Sequence, residues 1–437
     1  MLSREDNELV TRVGPGTPMG ELMRRYWQPI AVTGELASNP VKPVRILGED
    51  LTLFKNRDGQ LGLIAQRCAH RLVDLRCGMP TRDGLKCPYH GWTYDTTGQC
   101  TDQPAESPEH RFKERVKLQS YPVQELGGLV WAYLGPEPAP LVPRWFPLVA
   151  ENAFRQVGTT MIPCNWLQCQ ENSMDSVHTE YLHGQLWEYV AERIDSHDAV
   201  KLAEARRFTK HHVKVRFEPF EHGFRKYRLL EGEREDSATG WTIGNPLIFP
   251  YIVLIGGPGR YEMQIRVAID DTHTWHLSYQ VFLPGQWYDV PPQASVPAFE
   301  VPIEDLPDYV LGQDMLVWPL QGEIVDRSQE SLGESDKGII MLRRLLMDQM
   351  AIVEQGGDPM NVFRDPATNT CIPLPIPDYV GPRNYRKGML VAVTTGQHCP
   401  WLDEVDAMMS RAAEALRQAE AEEVAASAAS TSAARIG

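Results

Sequence analysis

Two short forks, each offering one thiolate and one imidazole, constrain this 437-residue chain more than anything else in it. Cys68 and His70 stand in the first and Cys87 and His90, within CPYHGW, in the second, with sixteen residues between them. From about Val44 to Gly135 the flanking sequence consists of β-prone runs such as VRILGEDLTLF and GGLVWAYLGP, broken at Asp58-Gly59 and Asp83-Gly84. Four soft-to-borderline ligands on the loops of a small all-β unit at this spacing bind a metal.

A Cys2His2 zinc site would use the same residue types, but zinc motifs usually pair Cys with Cys and His with His. Here each fork carries one of each, as a Rieske-type [2Fe-2S] cluster requires: one iron takes both cysteines and the other both histidines. Neutral histidine ligands raise the potential, so the centre suits an electron relay fed by a flavin or ferredoxin donor. Pro88, Gly91 and Trp92 shape and cover the second loop, and Cys77 and Cys100, without partner histidines, read as small apolar residues.

A relay needs an acceptor, and one is written downstream in Glu171-Asn172-Ser173-Met174-Asp175-Ser176-Val177-His178, followed by His183. The pattern predicts a helix over roughly Asn165 to Tyr189, with Glu171, Asp175 and His178 on one face. His178 and His183 are five apart, which a regular helix would separate by about 140°. Both reach one metal only where the helix is distorted or ends between them, and such a break is expected. Two histidines and a carboxylate on adjacent corners suit Fe(II) activating O2.

Together, C-x-H-x16-C-x-x-H and N-x-x-D-x-x-H-x4-H resemble the motifs of Rieske non-haem iron aromatic-ring-hydroxylating oxygenases, over about Val13 to Gln355. GPGTPMGELMRRYWQPI and DRSQESLGESDKGIIMLRRLL are similar to stretches of the phthalate dioxygenase-like subgroup. The resemblance implies that Cys68, His70, Cys87 and His90 hold the cluster, that His178 and His183 hold a mononuclear Fe(II), and that Asp175 bridges to a cluster histidine of a neighbouring subunit. It favours Asp314, in GQDMLVWPLQG, as third iron ligand, with Asp326 and Asp336 as alternatives. It also implies a homo-oligomer, trimer or hexamer, with O2 as co-substrate and electrons from a separate NAD(P)H-dependent flavin/iron-sulfur reductase.

After the Pro-rich link EPAPLVPRWFP, strand-like runs (HHVKVRFEPF, TWHLSYQVFL) and helical patterns, one around Gly338 to Gln355, come in blocks, so the fold class is α+β: a small all-β domain and a larger catalytic domain with an antiparallel sheet and helices. The expected division is a helical leader over 1–26 packing on the catalytic domain, the cluster domain over 27–138, the catalytic domain over 139–400, and over 401–437 a helix decaying into an Ala/Ser-rich tail, disordered past about Val424. IGGPGRYE reads as a turn, since a phosphate-cradling loop needs a helix start after its glycines.

A formal charge of −15, from 58 acidic and 43 basic residues, argues against a nucleic-acid partner. No run of eighteen apolar residues occurs and the first residues are charged, so neither a membrane span nor a signal peptide is expected. Eight cysteines, two of them beside histidines, fit metal chemistry in a reducing cytoplasm.

Phthalate-like or benzoate-like substrates are anionic, and a planar guanidinium grips a carboxylate bidentately. Arg206, Arg207, Arg225 and Arg228 are the candidates, with Arg207 and Arg228 favoured. Thr242 stands where phthalate-binding relatives are expected to carry arginine, which points to a monocarboxylate. Dihydroxylation of a carboxylated aromatic is the expected reaction; O-demethylation of an aryl ether, using the same iron and relay, is the alternative.

Overall fold

Strict alternation of apolar and polar residues builds the larger of the sheets. The computed structural model describes residues 2–107, 109–194, 199–257, 259–378, 380–383 and 385–433. Eight strands lie in the order His212–Phe220, Gly223–Leu230, Asn245–Ile248, Ile252–Gly257, Arg260–Ala268, Thr274–Phe282, Phe154–Ile162, Ala298–Glu300. All neighbours are antiparallel except the last pair. IGGPGRYE falls at a hairpin, where Gly257 pairs with Arg260; Pro258 itself lies outside the described residues.

Strand Arg260–Ala268 shows what this sheet is for. Tyr261, Met263, Ile265 and Val267 enter the main core. On the other face Arg260, Glu262, Gln264 and Arg266 are equally buried. One face of an antiparallel sheet normally meets water when it is polar. A polar face shut away from solvent must line an internal site.

The N-terminal third makes three small sheets: Val41–Ile46, Glu49–Lys55, Leu61–Ala65 and Ser120–Tyr121; then Met79–Pro80, Leu85–Lys86, Thr93–Tyr94 and Cys100–Asp102; then Trp27–Val32, Leu129–Tyr133 and Val123–Leu126. The first two enclose their own core of Phe54, Ile64, Leu75, Leu85 and Tyr94. The third shares the main core with the large sheet, tied by Tyr251 Oη to the Trp27 carbonyl (2.6 Å) and Tyr279 Oη to that of Gly127 (2.6 Å).

Two helices lead the chain. Pro18–Arg24 follows the Gly/Pro cluster, with Thr17 capping it and Pro18 in its first turn. Arg4–Thr11, capped by Ser3, is a helix that the charged opening sequence did not announce. Both pack against helix Lys337–Glu354. That helix can approach the iron-site segment because residue 338 is glycine: a Cβ there would stand 2.6 Å from the Met174 carbonyl oxygen.

The C-terminal helix runs from Leu402 to Ala433, extending past Val424, where the Ala/Ser-rich stretch begins. Packing of Val405, Met408, Met409 and Ala412 holds its first half. Beyond Leu416 it continues mostly on the helix propensity of alanine and glutamate. Among the described residues no helix is long and apolar enough to cross a membrane.

Candidate metal centres and substrate cavity

Both forks sit on loops beside the sheet of Met79–Pro80, Leu85–Lys86, Thr93–Tyr94 and Cys100–Asp102. Cys68 and Cys87 are buried, while His70 is exposed and His90 half-buried. Cys87 N–H donates to the Trp92 carbonyl (2.8 Å) and Gly91, at φ +75°, turns the loop back. The imidazoles meet with ring centroids 4.5 Å apart, and Trp92 stacks on His70 at 4.6 Å and 6°. Trp92 is itself buried in the core of this small domain, and its ring backs the histidine from inside. Tyr94 Oη lies 3.2 Å from Cys68 Sγ and accepts the Ala69 N–H at 3.1 Å. Two thiols held inside and two imidazoles held outside form a donor set that fits a two-iron cluster, with Tyr94 placed to hydrogen-bond a ligand sulfur.

The second site is assembled from a helix that breaks twice. Helix Trp166–Asn172 stops, the chain turns through Asp175, and helix resumes at His178–Glu180. From Tyr181 to Leu186 it widens into a π-helix, whose i→i+5 bonding stacks residues five apart. His178 and His183 consequently face each other with ring centroids 5.0 Å apart. Gly184 makes this bulge fit, because a Cβ there would stand 2.7 Å from the Thr209 nitrogen.

Helix Val310–Leu320 brings Asp314 to the pair, and the ligand atoms of His178, His183 and Asp314 all lie within 4.8 Å of one another. Asp314 Oδ1 is 3.3 Å from His183 Nε2 and 3.7 Å from His178 Nε2. The other ring nitrogens face the protein: His183 Nδ1 meets Gln313 Oε1 at 2.9 Å, and His178 Nδ1 stands 3.4 Å from Asp175 Oδ2. Asn172 Nδ2 donates to Asp314 at 3.2 Å. Burial lowers the His178 pKa despite Asp175 and Asp314, and it raises that of Asp314 less than His183 and His178 lower it. Neutral imidazoles and an ionised carboxylate are the forms that bind iron.

Asp175 turns the chain by accepting the Val177 N–H (2.8 Å), and its own carbonyl accepts from Lys226 Nζ (2.8 Å). Burial would raise its carboxyl, but hydrogen bonding to His178 and the charges of His178 and Lys226 hold it well below the usual range. Burial pushes Lys226 down to about 8, with Asp175 opposing.

Several expected placements change. Glu171 does not share a face with Asp175 and His178, because the helix ends between them. Instead its carboxylate bonds Arg327 (2.8 to 3.1 Å) and Arg343 (2.5 Å), and Arg343 also grips Glu330 (2.7 and 2.9 Å). The DRSQESLGESDKGIIMLRRLL motif is therefore a buried clamp on the site helix. Asp326 accepts from Ser328 in a surface turn and Asp336 accepts the Gly333 N–H, so neither stands with the histidines.

Beside the triad lies a cavity of about 400 Å3, in the range that encloses a small aromatic. Arg228 lines it and donates to Thr179 Oγ1 (2.8 Å). Arg207 stands at its exposed margin, 3.6 Å from Glu204. Arg206 pairs with Glu188 outside it, and Arg225 packs on Tyr227 from a neighbouring position of the same strand. Thr242 caps onto the Ala238 carbonyl and is not part of the wall. Lys226, Arg260, Glu262 and Arg266 also line the cavity, and the sequence reading missed them. The two-residue spacing of Arg260, Glu262, Gln264 and Arg266 opposite apolar partners was the available signal.

Comparison with known proteins agrees with this anatomy. Residues 26–122 match the Rieske [2Fe-2S] domain and residues 132–283 the LigXa C-terminal domain-like family. The chain is 43% identical over 385 residues to the 5,5'-dehydrodivanillate O-demethylase oxygenase subunit of Sphingobium sp. (strain NBRC 103272 / SYK-6), covering 86% of this chain and 87% of that one. It is 31% identical over 394 residues to the phthalate 4,5-dioxygenase oxygenase subunit of Pseudomonas putida, covering 82% and 88%. The terminal oxygenase of carbazole 1,9a-dioxygenase from Nocardioides aromaticivorans IC177 shares the fold, with a TM-score of 0.56 at 18% identity over 79% of this chain and 96% of that one.

The chain belongs to the Rieske non-haem iron oxygenases. It is the terminal oxygenase component of a two-component system, working with a [2Fe-2S] cluster, a mononuclear iron, O2 and electrons from a separate reductase, in a family of multimeric assemblies.

Proposed function

We propose that this oxygenase acts on a carboxylated aromatic and that its reaction is O-demethylation of a methoxylated aromatic acid. The observation that carries the substrate class is the charge of the cavity wall. Lys226, Arg228 and Arg266 line it without a carboxylate bonded to any of them among the described residues. A bound carboxylate offsets this surplus, and Arg207 draws the anion in from the margin. The demethylating reaction is favoured by the O-demethylase relative at 43% identity; relatives at 31 to 33%, named as phthalate and phenoxybenzoate dioxygenases, favour the second reading, cis-dihydroxylation.

In this reading Cys68, His70, Cys87 and His90 hold the cluster, and His178, His183 and Asp314 hold the iron, which when bound supplies O2 activation. Asp175 links the His178 imidazole to a cluster histidine across a subunit contact. Its half-buried carboxylate and the exposed His70 ring support that contact. We further place the chain in a trimer or hexamer served by an NAD(P)H-dependent flavin/iron-sulfur reductase, within a reducing cytoplasm. All eight cysteines are free thiols, which supports that compartment.

Demethylation consumes the methyl ether, O2, two electrons and two protons and yields phenol, formaldehyde and water. The test is anaerobic purification, which should give about three irons and two sulfides per chain, followed by turnover of methoxylated aromatic acids with a reductase. Formaldehyde in step with O2 uptake supports the reading. A cis-diol in its place establishes the dihydroxylation reading, and coupled turnover of uncharged arenes alone overturns the substrate class.

A further inference from the structure

Strand Arg260–Ala268 sets a row of charged and polar side chains on the cavity face, and most of that row is internally satisfied. Arg260 donates to Glu262 (3.0 Å), and the Ser278 hydroxyl and Gln264 amide reach the same carboxylate (2.7 and 3.5 Å). Arg266 meets this network only through Gln264. It is 1% exposed, it bonds only the carbonyl and side-chain oxygens of Gln264 (3.2 and 2.7 Å), and its Nε has no partner.

Its surroundings do not supply a counter-ion at contact distance. Trp318 lies under the guanidinium, 5.6 Å to the ring centroid. His276, opposite in strand register, is fully buried with both ring nitrogens unpartnered, and burial together with Arg266 holds it neutral. Asp314 and Glu262 are the carboxylates whose charge Arg266 feels, the first turned to the two histidines and the second bonded to Arg260. Burying a guanidinium without a bonded anion is strongly unfavourable, so the fold keeps this one at a cost that a ligand can offset.

Of the other cations that line the cavity, Lys210 is exposed to solvent, Arg260 is bonded to Glu262, and the remaining three each hold a protein oxygen or face a carboxylate. Lys226 holds the Asp175 carbonyl, Arg228 holds the Thr179 hydroxyl, and Arg207 faces Glu204. We propose that Arg266 is the receptor for the substrate carboxylate, its open donors gripping the anion from the sheet wall of the iron cavity. This rests on the reading that the cavity takes an aromatic acid, and it moves carboxylate recognition from the residues apparent in sequence to one that is not.

The experiment is calorimetric titration of the anaerobic holoprotein with 4-hydroxy-3-methoxybenzoate and with its primary amide, which has the same shape and no charge. Wild type should prefer the acid by roughly 10- to 100-fold, the worth of a charge-assisted pair. Arg266→Gln should abolish the preference while iron, sulfide and the visible spectrum stay unchanged, and Arg228→Gln should retain it. A preference kept by Arg266→Gln and lost in Arg228→Gln overturns the assignment and leaves the aromatic-acid reading standing. Absence of any acid preference in wild type overturns that reading itself. Should Arg266→Gln fail to fold, Arg266→Lys decides, since it keeps the charge but loses the planar fork: acid affinity should fall with amide affinity unchanged, and an unchanged acid affinity overturns the proposal.

Discussion

The two metal centres are built by opposite strategies. The cluster site takes its four donors from 23 consecutive positions, Cys68 to His90, on loops whose small sheet has its own core. The iron site takes two donors from a twice-broken helix and the third, Asp314, from a helix far along the chain. A local site depends on turn chemistry and a distributed one on the packing that holds its elements together. The first should therefore survive perturbations that dismantle the second.

The sharpest way to break this comparison is to remove a ligand from each side. Asp314→Asn should abolish turnover and lower iron toward that of the cluster alone, with sulfide and the visible spectrum intact. Cys87→Ser should remove both sulfide and colour. Loss of the cluster in Asp314→Asn would show that the two sites do not fold independently. Asp175→Asn, next in size, should leave both centres loaded yet lower turnover by orders of magnitude. Iron, sulfide and single-turnover kinetics on one sample check this, and loss of the cluster would contradict a linking role.

The same contrast explains what could be read in the sequence. Cys68, His70, Cys87 and His90 were legible because ligand spacing alone carries a loop-borne site. The five-residue gap between His178 and His183 foretold a distorted helix, which the π-helix over Tyr181–Leu186 supplies. The resemblance favoured Asp314, but setting aside Asp326 and Asp336 needed the fold, since all three follow the histidines at plausible distances. Gln313 was invisible as a support because a lone neutral amide carries no spacing signature, and Asn172, although it opens the N-x-x-D-x-x-H motif, was given no role until the fold brought it to Asp314. Arg266 was hidden for a different reason: in a strand buried on both faces, polar residues look like a solvent side until the topology shows the face is covered.

A moderate effect tests the clamp that joins the broken helix to the rest. Burial raises the Glu171 carboxyl less than Arg327 and Arg343 lower it, so its folded pKa lies below the unfolded one. Such a group stabilises fully above the unfolded pKa, near 4.5, and that stabilisation is lost as pH falls through the folded value. Glu171→Gln leaves buried Arg327 without an anion and Arg343 with Glu330 alone, which should cost about 3–5 kcal/mol. Denaturant unfolding of the variant should show the loss at pH 7 and a flatter acid limb than wild type. Iron should be released before cluster colour fades in both proteins on acidification; simultaneous loss would contradict the separate supports.

The smallest effect falls on Gln313, which touches only His183 Nδ1 and the Pro307 carbonyl (3.3 Å). Holding that nitrogen fixes the tautomer that leaves Nε2 open to the metal, and such supports are worth about 10–100-fold in metal affinity. Gln313→Leu keeps the volume and removes the hydrogen bond, so iron affinity should fall by that factor with the cluster spectrum unmoved. Adding Fe(II) should restore activity, because the ligands themselves remain. Gln313→Glu separates geometry from polarity: it accepts the same Nδ1–H but adds a charge, so it should restore affinity relative to leucine. If leucine and glutamate lower affinity equally, neutrality of the support matters more than the hydrogen bond, and the iron site is tuned by its net charge beside Asp314.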